Sequence, residues 1–365
     1  MRSFLRTTHK YLSLTFALLW VLQAATGVLI AFRGEIEDGL LAGPSQPLNP
    51  ARFSAAVADI AAGRPGETLS YVMAGEGSPN RYDLLFSNRD DHTRSVHVDG
   101  NGIVLRERPY DYAYPAPGLF QTAHDFHETL FSGDRGKWFL GFSGALLLSN
   151  LLLGLTLAWP ARGQWRRVLL PGIAGPFNAN VYKWHRALGL MIVLPAIVIV
   201  TCGIAQQWPT DEWLGVESPK PVAHAGPTGS VALGDAISTA LARHPDATLA
   251  IVELPSADNA WYRIRLRKPG ELRRVYGTTT VYVDAHDGSV LLDRDAPTLP
   301  LNERISNAFY PIHTGEFAGV AGRFVVLFTG LGLLGMATLG ACLWWTRRQA
   351  RSRAGTPLRP RMASR

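Results

Sequence analysis

The sequence holds only two cysteines, Cys202 and Cys342, and they form neither a CxxC nor a CxxCH motif. Thiol redox chemistry, a zinc site and covalent c-type haem therefore lose their usual attachment points. No GxGxxG or other nucleotide fingerprint occurs, so an electron donor, if one is used, is a separate molecule or protein. Charge is missing from four long stretches: Tyr11–Phe32, Trp138–Trp159, Ala187–Trp208 and Phe324–Trp345 contain no Asp, Glu, Lys or Arg. At ~1.5 Å rise per residue each stretch reaches about 33 Å, enough to cross a ~30 Å hydrocarbon core. Backbone groups in lipid pair within one helix, so all four read as transmembrane helices. The same lack of ionisable groups weighs against an ion- or proton-coupled permease, which usually keeps such groups inside its spans.

Lys and Arg give these spans an orientation. Arg2, Arg6 and Lys10 precede the first, and Arg162, Arg166, Arg167, Lys183 and Arg186 join the second to the third. A tail rich in arginine, beginning at Arg347 and Arg348, follows the fourth. Four crossings put these three regions on one side, and positive flanks mark the cytoplasm. The expected map is a cytoplasmic N-terminus (1–10), spans at 11–32, 138–159, 187–208 and 324–346, a cytoplasmic loop (160–186) and a basic cytoplasmic tail (347–365). The outer segments are 33–137 and 209–323, periplasmic if the membrane is a bacterial inner membrane. The net charge of +7 lies largely in the cytoplasmic flanks, which implies a bilayer as partner and no nucleic acid. The first apolar run exceeds a signal-peptide core and continues past Ala24 and Ala25, so it reads as a retained helix.

The chain also repeats itself. At an offset of 176, His9-Lys10 aligns with His185-Arg186 and Gly27 with Gly203. At an offset of 186, His127 aligns with His313, Phe131 with Phe317, Gly136-Lys137 with Gly322-Arg323, Gly144 with Gly330, Gly154 with Gly340 and Trp159 with Trp345. Each outer segment opens with an amphipathic helix, at 51–62 and 231–243. Strand-like runs follow at Leu69–Met73, Arg81–Ser87 and Arg94–Val98, then at Leu249–Leu254, Trp261–Arg267 and Thr278–Val283. Hairpin signals stand at Asp99–Gly102 and Asp284–Gly288, where Asn, Asp and Gly supply positive φ. The expected fold is an α-helical membrane protein with two parallel, pseudo-symmetric helix pairs, each carrying an inserted α+β module.

Ten histidines are present. His92, His97, His224, His244 and His286 fall in the outer segments and read as solvated loop or sheet residues. His9 and His185 stand at the cytoplasmic edge, and His124, His127 and His313 at the outer edge. An interfacial histidine can simply anchor a helix, but the repeat pairs His9 with His185 and His127 with His313. Two facing imidazoles offer two axial nitrogens to one planar iron macrocycle, so two pairs suit two non-covalent b-type haems. Chelation of a bare metal by His124, His127 and His313 is the rival reading, and two histidines per site fall short of a zinc centre. His124 aligns with Tyr310, which makes His127 the better axial candidate. The aligned Lys137 and Arg323, and Lys10 and Arg186, are placed to neutralise propionates. Asp211-Glu212, the acids near Asp99, and Tyr110–Tyr114 could each line a chelate site, the tyrosines equally an interfacial belt.

These residues resemble the PepSY-associated transmembrane family over nearly the whole chain. The resemblance is carried by Leu5-Arg6-Thr7-Thr8-His9-Lys10-Tyr11-Leu12, His124-Asp125-Phe126-His127, Lys183-Trp184-His185-Arg186 and Tyr310-Pro311-Ile312-His313. The outer modules look like PepSY domains, and within the family the chain is similar to inner-membrane ferric-siderophore reductases of the FoxB type. That resemblance implies two b haems and one-electron reduction of a periplasmic iron(III) siderophore, hydroxamates among the candidates, with quinol, reduced flavin or a soluble reductase as donor. Iron(II) is softer than iron(III) and leaves hard oxygen ligands more readily. The alternative is a non-catalytic scaffold or transport accessory whose outer modules bind other proteins.

Overall fold

The computed structural model describes residues 1–40, 45–89, 93–109, 118–217, 219, 221–224, 231–256 and 258–354. The positions of His92, Tyr110–Tyr114 and the end of the basic tail lie outside them. The chain forms two compact units. One comprises Met1–Val28, Phe142–Thr201 and Leu327–Arg365, and the other Leu29–Gly141 and Cys202–Val326.

Four helices are long and apolar enough to cross a membrane: α1 (Arg2–Ile30), α5 (Gly133–Ala158), α7 (Phe177–Gln207) and the segment Glu316–Ala350, most of it in α11 (Gly319–Ala354). Each starts before its apolar run. Residues 2–10 and 177–186, assigned above to a tail and a loop, are helical. Hydropathy marks what lipid can cover, whereas the backbone ladder continues into water as long as propensity allows.

The second unit opens with α2 (Arg33–Gly39) and α3 (Pro50–Ala62). Helix α3 starts where Asn49 accepts from the Arg52 amide and proline fills the first turn. Strands β1 (Glu67–Ala74), β2 (Arg81–Asn88), β3 (Thr93–Asp99) and β4 (Val104–Pro109) follow, then α4 (Gly118–Thr129). A short α6 (Trp165–Leu169) lies between α5 and α7. After α7 come α8 (Thr210–Trp213), α9 (Leu233–Arg243), β5 (Thr248–Glu253), β6 (Trp261–Arg267), β7 (Thr279–Asp284), β8 (Val290–Arg294) and α10 (Leu301–Thr314). Both expected hairpins form, closed by Gly102 (φ 82°) and Gly288 (φ 76°).

The two expected modules share one sheet. All eight strands are antiparallel in the order β4-β3-β2-β1-β5-β6-β7-β8, with a seam where Tyr71, Val72 and Met73 pair with Glu253, Val252 and Ile251. Pairing β1 with β5 satisfies the backbone edge that each half would otherwise expose. One face is apolar: Phe53 and Val57 of α3 and Ala236, Ile237 and Ala240 of α9 pack on Val72, Leu84, Val96, Val252, Ile264 and Val281.

The opposite face is polar, and its first half holds a buried charge cluster. Arg81 Nη1 donates to Asp38 Oδ1 at 3.0 Å, both side chains about 6% exposed. His97 lies between carboxylates, with Nδ1 3.0 Å from Asp83 Oδ1 and Nε2 3.3 Å from Asp38 Oδ1. His97 and His244, read above as solvated, are both buried, His244 with Nε2 2.8 Å from Asp293. Burial alone would push the His97 ring down, yet Asp38 and Asp83 outweigh it and push it up to about 9. An unfolded histidine titrates near ~6.5, so this stabilisation is complete below that pH and is lost as pH rises through about 9. The gap in melting temperature between the parent and His97→Gln should be widest near pH ~6 and close by pH ~10. A gap independent of pH would mean the ring is not charged in the fold.

Candidate haem-ligating histidines

The outer histidines sit on short helices that precede the spans. His127 is in the last turn of α4 and His313 in the last turn of α10. The chain breaks after each. Leu130 (φ 51°) and Phe131 (φ 57°) adopt the left-handed region, unusual for side chains of this size, and Gly315 (φ 80°) and Gly319 (φ 61°) do so after α10. Both breaks are closed by a glycine in the following helix. A Cβ on Gly136 would stand 1.6 Å from the Thr129 carbonyl oxygen, and one on Gly322 2.0 Å from that of Gly315.

These turns bring the His127 and His313 rings to 6.1 Å between centroids, with 44° between planes. Two imidazole nitrogens bonded at ~2.0 Å to opposite sides of one metal put the ring centres roughly 6 Å apart. The spacing therefore fits a single iron between the rings. His313 also lies against Gly203, where a Cβ would stand 2.8 Å from Cε1.

The inner histidines are seated alike. His9 Nδ1 lies 3.2 Å from the Asn150 carbonyl oxygen, and His185 Nδ1 is buried beside the Met336 backbone. A carbonyl can only accept, so Nδ1 of His9 carries the proton and Nε2 keeps its lone pair for a metal. His9 rests on Gly154 (a Cβ 3.2 Å from Cε1) and His185 on Gly340 (3.5 Å). Asn150 and Met336, like Gly154 and Gly340, are 186 residues apart.

A family model, the PepSY-associated TM region, matches residues 6–347. The chain belongs to this family. It is a membrane protein, and no curated protein matches it.

Elsewhere in this PepSY-associated chain, the structure gives the other expected site residues the following places. Arg323 is paired with Glu35 and stacks over Phe32. Arg186 donates to the Ala158 and Trp159 carbonyls, capping α5. Lys10 lies 4.1 Å over the Tyr11 ring, and Lys137 is half-buried in the first turns of α5. His124 faces Asp125 (3.5 Å) and Glu128 (3.7 Å). Among the described residues it forms no metal-ligand group with His127 and His313. Two of the acidic candidates for a chelate site make contacts within the fold. Asp211 accepts from Ser306, and Asp99 holds its hairpin through the Asn101 and Ile103 amides. His224, Asp284 and Asp287 do converge, but Asp284 already accepts from the His224 and His286 amides.

A second centre joins the two halves of the sheet. Arg33 donates twice to Glu76 (2.8 and 3.0 Å), and Tyr276 Oη donates to the same carboxylate at 2.8 Å. Burial alone would raise the Glu76 carboxyl, but Arg33 and Tyr276 hold it down at about 2. The adjoining cavity, bounded by Arg33, His97 and Gln121, is about 70 Å³. That is room for a few waters, well short of the ~300 Å³ a small-molecule site needs.

Proposed function

We propose that the chain is a two-haem membrane reductase that delivers electrons to iron(III) chelates, ferric siderophores above all, on the outer side of a bacterial inner membrane. The observation that carries this reading is the outer pair, two imidazoles at the spacing of opposite ligands to one metal. Two b-type haems, held by His9 with His185 and by His127 with His313, would supply one-electron transfer across the bilayer. Two histidines per iron leave no open position, which favours electron transfer over oxygen binding. The residues around them fix orientation. The Asn150 carbonyl sets the His9 tautomer, and the glycines against the rings leave space that any larger side chain would fill. Topology supports the direction, since His9 and His185 precede spans entered from the basic side, and His127 and His313 precede the two returning spans.

The decisive test is the optical spectrum of detergent-purified protein, oxidised and dithionite-reduced, with a pyridine haemochrome count. Low-spin b-type bands and about two haems per chain are expected. Reoxidation on adding a ferric siderophore to reduced protein would establish the reductase. A colourless protein from haem-supplemented cells would sink the reading and leave the scaffold.

A further inference from the structure

Strand β6 places Arg263 and Arg265 at alternate positions, so both leave the sheet on the face opposite the apolar core, which takes Tyr262, Ile264 and Leu266. A third guanidinium, Arg273, comes from the loop between β6 and β7. It lies 4.5 Å over the ring of Tyr310, one helical turn before His313, and 5.7 Å over Tyr276.

Three carboxylates lie near these cations, but among the described residues only one makes an ion pair with them. Glu253 stands 3.5 Å from Arg263, while Glu271 commits both oxygens to Thr278 and Thr279. Glu316 is buried in the field of Arg273 without an ion pair. Among the described residues neither Arg265 nor Arg273 makes an ion pair, and Nε of Arg263 and of Arg273 is buried with no acceptor. Burial, and then the charges of Arg273 and Arg263, push the Arg265 guanidinium down to about 10. On the other side of the seam β2 holds the equivalent place and presents Asp83 and Leu85 instead. Gathering like charges with unsatisfied donors is costly unless an anion completes the set. Guanidinium forks match the paired oxygens of carboxylates and phosphates, and carboxylates are the anionic groups of common iron(III) chelators.

We propose that Arg263, Arg265 and Arg273 form the docking site for the carboxylates of an anionic ferric chelate, next to the helix that carries His313. This names a substrate class for the proposed reductase and rests on that reading only for the electron transfer that comes after docking. A neutral hydroxamate chelate would gain little from three cations, whereas a carboxylate-rich chelate would gain from each.

Binding is tested on the full chain in detergent with gallium(III) citrate, which has the charge of its ferric counterpart but accepts no electron. Calorimetry should show binding that weakens from ~50 to ~300 mM salt. Arg263→Gln, Arg265→Gln and Arg273→Gln should each lower affinity roughly tenfold or more, with Arg273→Lys recovering part of the loss. Unfolding temperatures identify any variant that fails to fold, and competition by free citrate on the parent keeps the proposal exposed if Arg265→Gln does. It is overturned if the parent binds no gallium citrate, or if the variants bind it unchanged. It is also overturned if the variants lose haem while keeping citrate affinity, which would assign the arginines to propionates. Citrate binding by a chain without haem would support the site and remove the reductase; haem without citrate binding would do the reverse.

Discussion

His313→Ala or His127→Ala, purified as the full chain, is expected to hold one haem in place of the proposed two and to lose nearly all of the proposed electron transfer to an added ferric chelate. One remaining imidazole would leave a haem at that position with a single histidine to hold it, so any haem kept there should give a high-spin spectrum. The inner pair should keep its low-spin bands, because Asn150, Gly154 and Gly340 that seat it are untouched. Gly203→Ala should reproduce much of the defect without removing a ligand, since the new methyl would stand 2.8 Å from His313 Cε1 and displace the ring. Haemochrome counts and low-temperature electron paramagnetic resonance report both effects. A full haem complement in His313→Ala would assign the outer ligand elsewhere, with His124 the first residue to examine.

The largest expected effect on stability comes from Asp38→Ala. Asp38 touches both Arg81 and His97, and it is 7% exposed. Its removal would take a carboxylate from the buried Arg81 guanidinium and leave His97 with Asp83 alone. Breaking a buried pair from one side costs about 3–5 kcal/mol, most of it the penalty of the stranded partner. Arg81→Met with Asp38→Leu should cost less, because apolar groups of similar volume remove the stranded Arg81 charge along with its partner, and His97 keeps Asp83. Chemical denaturation of the second unit, followed through the tryptophan fluorescence of the full chain, separates the two cases. Equal losses in the single and double variants would show that packing, not charge, holds α2 to the sheet.

Much of this architecture was legible in the residues. Length and lack of charge located the four spans, and alternation located six of the eight strands within a residue or two. The missed strands, β4 and β8, are the outer edges of the sheet. Val104–Pro109 carries three charges and a proline, and Val290–Arg294 is half-exposed throughout, so neither shows the burial alternation that marks a strand. The histidine pairs were visible because a repeat leaves matching residues at fixed offsets. What seats them was not, since the Asn150 and Met336 contacts use backbone atoms, which no side-chain pattern encodes. Asn150, a buried polar residue within a span, was the available signal. The contacts of the basic residues beside the histidines were hidden for a related reason. Arg323 and Arg186 find their partners in Glu35 and in the end of α5, at distances in sequence that spacing cannot reveal.

The seam of the sheet says something about origins. Strands β1 and β5 pair antiparallel over only three residues each, and every other neighbour in the sheet lies within its own half of the chain. Antiparallel pairing about a two-fold axis is the way a strand pairs with a copy of itself, as in an isologous homodimer. A gene encoding half this chain could therefore have closed the same sheet from two copies, and tandem fusion would then have freed each half to diverge. The arginines of β6, opposite the aspartate and leucine of β2, are an asymmetry that two identical copies of one half could not carry.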